Sequence, residues 1–143
     1  MKHIFLITIF FFLTVGCGVK GKPVEYKDAC NLENNDTYIE VSGYLNYGGS
    51  VYCSSTSGRM DCGFDFLENT NSQKGFSVNI EQGSSSNSVE KFESGYKKED
   101  IKIRDDKGKI ISLSDKVTVT GKIRTVKEPD VVCYIKVYKI EVK

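Results

Sequence analysis

Beyond His3 the chain contains no histidine, so acid-base and nucleophilic chemistry lose their most common agent. No CxxC spacing accompanies its cysteines, which removes the usual sequence signs of a zinc site or a redox pair. Alanine occurs once, as Ala29, and leucine is sparse, while Val, Ile, Tyr, Phe, Thr, Ser and Gly are abundant. That balance disfavours helices and points to strands joined by turns. There is no basic excess either. Lys2 is the one charged residue before Cys17, leaving 19 basic against 19 acidic groups in the remainder. Binding nucleic acid by charge normally demands a surplus of cations. No internal repeat is present, and 143 residues hold one small domain beyond the N-terminal segment.

What is present is clearest near the C-terminus. In the stretch from Lys116 to Arg124, Val117, Val119 and Ile123 alternate with polar residues, the period-two mark of a sheet with one buried face. After the turn-forming Lys127-Glu128-Pro129-Asp130, the run from Val131 to Val142 completes a hairpin. In that run Cys133, Ile135 and Val137 share one parity and Ile140 and Val142 the other, so a β-bulge near Tyr138-Lys139 is expected, turning both groups inward. Earlier, Ile39, Val41 and Leu45 are the inward set of a first strand, Met60, Cys62, Phe64 and Phe66 of a second, and Phe76, Val78 and Ile80 of a third. Gly43 and Gly121 interrupt buried rows, as glycines do where a sheet bends sharply on itself. Residues 82–88 read as a polar spacer, and Val89 to Asp100 as irregular chain with room for a short helix. Ile101 to Leu113 reads as a small hairpin about Asp105-Asp106-Lys107-Gly108, which lacks the alternating acids of a calcium loop and serves as a turn.

At the N-terminus, Met1-Lys2-His3 precedes an apolar run from Ile4 to Val15, of signal-peptide length and too short to span a bilayer. Thr14-Val15-Gly16-Cys17 resembles the lipobox of bacterial lipoproteins, which implies cleavage after residue 16 and a lipid on Cys17. The alternative is ordinary secretion with cleavage near Gly16 or Gly18. Residues 17–35 then form a tether and arm, and 36–143 the domain. Setting Cys17 aside leaves Cys30, Cys53, Cys62 and Cys133, an even number in an exported chain, which points to two disulfides. Cys53 and Cys62 bracket a hairpin tip and favour local pairing. Cys30 with Cys133 would then close a long loop, worth roughly 4 kcal/mol as an upper figure.

Three meandering strands, an irregular or short helical connection and a final hairpin give an all-β expectation: a five-stranded OB-fold-like barrel. The chain is also similar to secreted or lipid-anchored bacterial OB-fold domains of mostly unassigned function. The resemblance lies in Cys30, Val41-Ser42-Gly43-Tyr44-Leu45, the Cys53 and Cys62 pair, the stretch from Tyr96 to Gly108, that from Asp115 to Ile123, and Val132-Cys133. It implies fold and compartment, and transfers no active site.

The functional expectation is therefore a non-catalytic binding module of the bacterial cell envelope. It would be held at the membrane by the lipid on Cys17, or be secreted or periplasmic if that lipid is absent. The partner would be a protein, peptide or glycan, with no cofactor and no metal. Tyr44, Tyr47 and Tyr52 are the candidate contact residues, near the Cys53–Cys62 loop and the 125–130 turn that border the usual OB ligand face. Asp61 and Asp65 share a strand face, as a glycosidase pair would, but read as exposed acids. Single-strand oligonucleotide binding is the runner-up. It is disfavoured by Asp61, Gly63, Asp65, Ser77 and Asn79 on the outward side of the second and third strands.

Overall fold

The computed structural model describes residues 18–48, 50–127 and 129–143, so the signal segment and the lipidation site proposed at Cys17 lie outside the described residues. Among the described residues seven strands form one sheet: β1 (Lys22–Pro23), β2 (Tyr38–Asn46), β3 (Tyr52–Thr56), β4 (Arg59–Leu67), β5 (Phe76–Glu81), β6 (Val117–Lys127) and β7 (Val131–Val142). Short 3-10 turns cover Tyr26–Asp28, Leu32–Asn34 and Lys98–Asp100, and no α-helix occurs among the described residues. The class is all-β, as the composition implied. None of the described residues belongs to a helix long and apolar enough to cross a membrane.

The pairing returns to its starting point. β2 is antiparallel to β6 from Tyr38 to Gly43 and antiparallel to β4 from Tyr44 to Asn46. β4 pairs with β5, β5 runs parallel to β7, and β7 pairs with β6. β2 changes partner at Gly43, where an added Cβ would sit 2.5 Å from the Leu67 main-chain oxygen and against the Phe66 ring. Gly121 is equally confined, against the Lys136 carbonyl and the Ile135 side chain. Both glycines permit a close backbone approach that any side chain would block. The expected bulge is present: Thr120 faces Lys139 and Gly121 faces Val137, leaving Tyr138 unopposed. It returns Ile140 to the interior, although Val142 emerges at the exposed end of the strand.

Inward positions alternate as read: Ile39, Val41, Leu45, Phe64, Phe66, Val78, Ile80, Val119, Ile123, Ile135 and Val137 are all buried. Met60 is the exception on its row, because β4 there leaves the core to pair with β3. β3 itself escapes the alternation rule, being Ser- and Thr-rich. It forms a tight hairpin with β4 through Ser57 and Gly58, both at positive φ, as a two-residue turn demands.

Two segments are more ordered than their composition suggests. The polar stretch 82–88 is no spacer: Asn87 donates its amide to the Asp105 carbonyl at 3.0 Å and accepts the Ile140 amide on Oδ1 at 2.8 Å. The Asp106 amide bonds the Ile140 carbonyl at 2.8 Å. These contacts satisfy β7 main-chain groups beyond the point where β5 ends. The 89–100 region carries only the Lys98–Asp100 turn. Val89 is instead held extended between Glu81, Gly83 and Ile103, and Gly95 sits at positive φ. The small hairpin expected over 101–113 reduces to one bridge, Arg104 with Ile110, around an Asp105 carboxylate that accepts the Lys107 and Lys109 amides. Val89, Ile101, Ile103 and Ile111 from this region all enter the core.

The arm is part of the body as well. β1 lies parallel to β2, the Tyr26 hydroxyl donates to the Phe66 carbonyl at 2.6 Å, and Ala29 is fully buried. Both disulfides are those favoured by spacing: Cys53–Cys62 across the β3–β4 hairpin, and Cys30–Cys133 from arm to β7, 103 residues apart. In the loop-entropy account the long link contributes roughly 4 to 5 kcal/mol and the short one roughly 2.5. Urea unfolding of Cys30→Ala/Cys133→Ala should therefore show the larger loss and Cys53→Ala/Cys62→Ala the smaller. The opposite order, or free thiols in the oxidised chain, would contradict the pairing.

Candidate functional site

Residues directly opposite one another in a sheet share a face. Register therefore assembles the outward surface. Gly63 faces Asn79, Asn79 faces Lys136, Lys136 faces Lys122, and Lys122 faces Tyr38, a row running across β4, β5, β7, β6 and β2. Beside it run Asp65, Ser77, Tyr134 and Arg124. Short side chains over β4 and β5, with Gly63 bare at the centre, leave a groove of about 480 Å³, bounded by Tyr47, Tyr52, Asp61 and Asp65. A second groove of about 530 Å³ continues it over β7 and β6, bounded by Arg59, Lys122, Arg124, Lys136, Tyr134 and Tyr138. Ser54, Asp61 and Asn79 belong to both.

Charge on this face is matched locally. Lys136 is bonded to Asp61 at the junction of the grooves, the most enclosed ion pair among the described residues. Asp36 receives Lys122 at 2.7 Å and Arg124 at 3.4 Å, and Arg59 lies 3.7 Å from Glu81. The four cations of the second groove thus each have a carboxylate partner, which lowers the field available to a polyanion. The hydrogen bond from Lys122 holds the Asp36 carboxyl below the usual carboxylate range, and Arg124 adds to the effect against some lost hydration.

The three candidate tyrosines separate. Tyr52 stands 78% exposed on β3 as a groove wall. Tyr47 borders the same groove but is a core residue: its hydroxyl donates to the Ile101 carbonyl at 3.3 Å, and its ring meets Phe64 edge-on at 5.7 Å. Burial pushes its phenol above the ordinary value. Tyr44, opposite Leu67, lines neither groove. Sequence reasoning missed Arg59, which opens β4 itself, and Tyr134 and Tyr138, which only the parallel β5–β7 pairing brings beside β4 and β5. The Cys53–Cys62 link pins the β3 wall of the first groove to β4. The 125–130 turn lies further round, where Val131 and Val132 join Asp65 and Ser77 in a third groove.

Comparison of the chain with family models, curated proteins and solved structures finds no match to any of them. The site is defined by its own chemistry. It combines two exposed aromatic ends, a polar floor of Ser, Asn and Gly, and four cations that share three carboxylates. Among the described residues no cluster of His, Cys, Asp or Glu is arranged to hold a metal.

Two outcomes check this description. Tyr47→Ser should cost roughly 3 to 5 kcal/mol in urea unfolding, by analogy with truncation of a core aromatic, whereas Tyr52→Ser should stay within about 0.5 kcal/mol. Equal costs would contradict the separation of the two rings. For Asp36, a lowered folded-state pKa means that its contribution is present at neutral pH and lost as pH falls through that folded value. The stability gap between the parent chain and Asp36→Asn should close on acidification, and a gap unchanged by pH would remove the ion-pair account.

Proposed function

We propose that the chain is a lipid-anchored, non-catalytic binding module of the bacterial cell envelope, built as an OB-type barrel, which holds a protein, peptide or glycan partner on the outward face of β4, β5 and β7. The pairing order β2–β4–β5–β7–β6–β2, parallel only between β5 and β7, supports the OB reading. Two disulfides suit an oxidising compartment. They also consume the four later cysteines, which leaves Cys17 as the odd one at the end of a lipobox-like sequence.

The observation that carries the binding role is the continuous double groove, polar along its floor and ended by Tyr52 on one side and Tyr134 with Tyr138 on the other. Tyrosine offers a rigid apolar face and a polar tip, which suits peptide and sugar surfaces alike. A catalytic role finds little support. Asp61 is engaged by Lys136, the cysteines are bonded, and histidine ends at His3. One observation favours oligonucleotide binding as a second reading: Tyr134 and Tyr138 stand beside Arg59, Lys122, Arg124 and Lys136 in one groove. The matched acids weigh against it.

The test pairs two assays on the Cys17→Ser chain. A photo-crosslinker at Tyr52 should capture a partner from solubilised envelope, and Tyr134→Ser/Tyr138→Ser should abolish that capture while leaving the fold intact. Oligothymidine anisotropy over a salt series should show no binding at micromolar chain. Salt-sensitive micromolar binding would instead promote the second reading.

A further inference from the structure

The end of the fold that carries the β6–β7 turn exposes an unusual amount of aliphatic surface. Leu32, Val126, Val131 and Val132 are all at least half exposed. They form a chain of neighbours: Val126 and Val132 are directly opposite across the hairpin, Val132 and Val131 line one groove, and Val131 lines another with Leu32 beside Cys30. The Cys30–Cys133 bond fastens the arm to this end, so the four residues are presented on a braced surface.

The path of the chain before β1 says what this end faces. β1 is parallel to β2, with Lys22 opposite Ile39, so the residues preceding it run back toward the start of β2. There Asp36 donates its amide to the Ile123 carbonyl at 2.8 Å and Asn35 accepts the Thr125 amide at 2.9 Å. The start of β2 and the end of β6 therefore belong to the same end of the molecule. Gly21 is already seated against the Ile39 main chain, with no space for a Cβ. Only Gly18, Val19 and Lys20 separate that seat from Cys17. Full extension of this link spans about 14 Å, close to the radius of gyration of a domain this size, also about 14 Å. A lipid at Cys17 cannot let such a body swing free.

We propose that this end rests on the bilayer, with Leu32, Val126, Val131 and Val132 entering the headgroup region of the membrane that holds the lipid. The inference depends on lipidation of Cys17. Contact is apolar in origin: the four side chains that enter the headgroup region carry no charge, so anionic lipid is not required.

The full chain, processed in a bacterial host and reconstituted in phosphatidylcholine vesicles with or without brominated acyl chains, provides the test. The chain has no tryptophan, so Val131→Trp is a single probe and Tyr52→Trp a control on the groove face. Leu32→Trp serves as a second probe on an exposed turn. Bromine should quench the Val131→Trp and Leu32→Trp emissions at least twofold, independently of salt, and leave Tyr52→Trp unchanged. Both probes unquenched on floating vesicles, or quenching equal to that of Tyr52→Trp, overturns the proposal and leaves the patch to a protein partner. A chain that does not float and whose mature N-terminus carries no acyl mass overturns the anchor reading, and this proposal with it.

Discussion

β2 serves two partners, and the rest of the molecule depends on that division. Its first half bonds β6 and its second half bonds β4, and the switch occurs where Gly43 lets the Leu67 carbonyl and the Phe66 ring approach the main chain. Without the switch, the second half of β2 and the end of β4 would be open sheet edges, exposing unpaired amides and carbonyls. With it, each of the five long strands has two neighbours in the cycle and the side chains of one parity converge on a single core. Gly121 does the matching work on the other side, where β6 crosses closely over β7 and the Tyr138 bulge restores the register.

The edges that remain are covered by chain with little regular structure. Asn87 and Asp106 occupy the main chain of Ile140, and the buried isoleucines 101, 103 and 111 seal the core from the same region. β1 and the two turns after it cover the far side of β2, locked by Cys30. A small domain with limited core gains from such covalent and hydrogen-bonded fastenings more than a large one does. They also free the outward face of β4, β5 and β7 to be polar and grooved, since stability is supplied elsewhere.

The five long strands were legible because period-two alternation reports burial on one face, and their inward residues follow it nearly throughout. The bulge at Tyr138 was legible too, as a break in parity. β3 was not, because Ser54, Ser55 and Thr56 carry no alternation, and its pairing is dictated by Cys53, Cys62 and the Ser57-Gly58 turn. Nor was the ordering of 82–113, which rests largely on main-chain bonds between residues distant in sequence, with the Asn87 side chain on Ile140 added to them. At the site, Tyr52, Asp61 and Asp65 could be placed from local pattern. Tyr47 could not be distinguished from a surface ring, since its burial comes from the loop holding Ile101 and Lys98. Tyr134, Tyr138 and Arg124 reached the groove only through the parallel pairing of β5 with β7.

The closure through β2 and β4 is the central claim, and the amides from Tyr44 to Asn46 and from Asp65 to Leu67 report on it most directly. Nuclear magnetic resonance of the labelled chain should find cross-strand proton contacts between Leu45 and Phe66, with main-chain amides at this junction as protected from hydrogen exchange as those of the β6–β7 ladder. Amides there that exchange at the rate of a free sheet edge, with no contact between the two strands, would contradict the account.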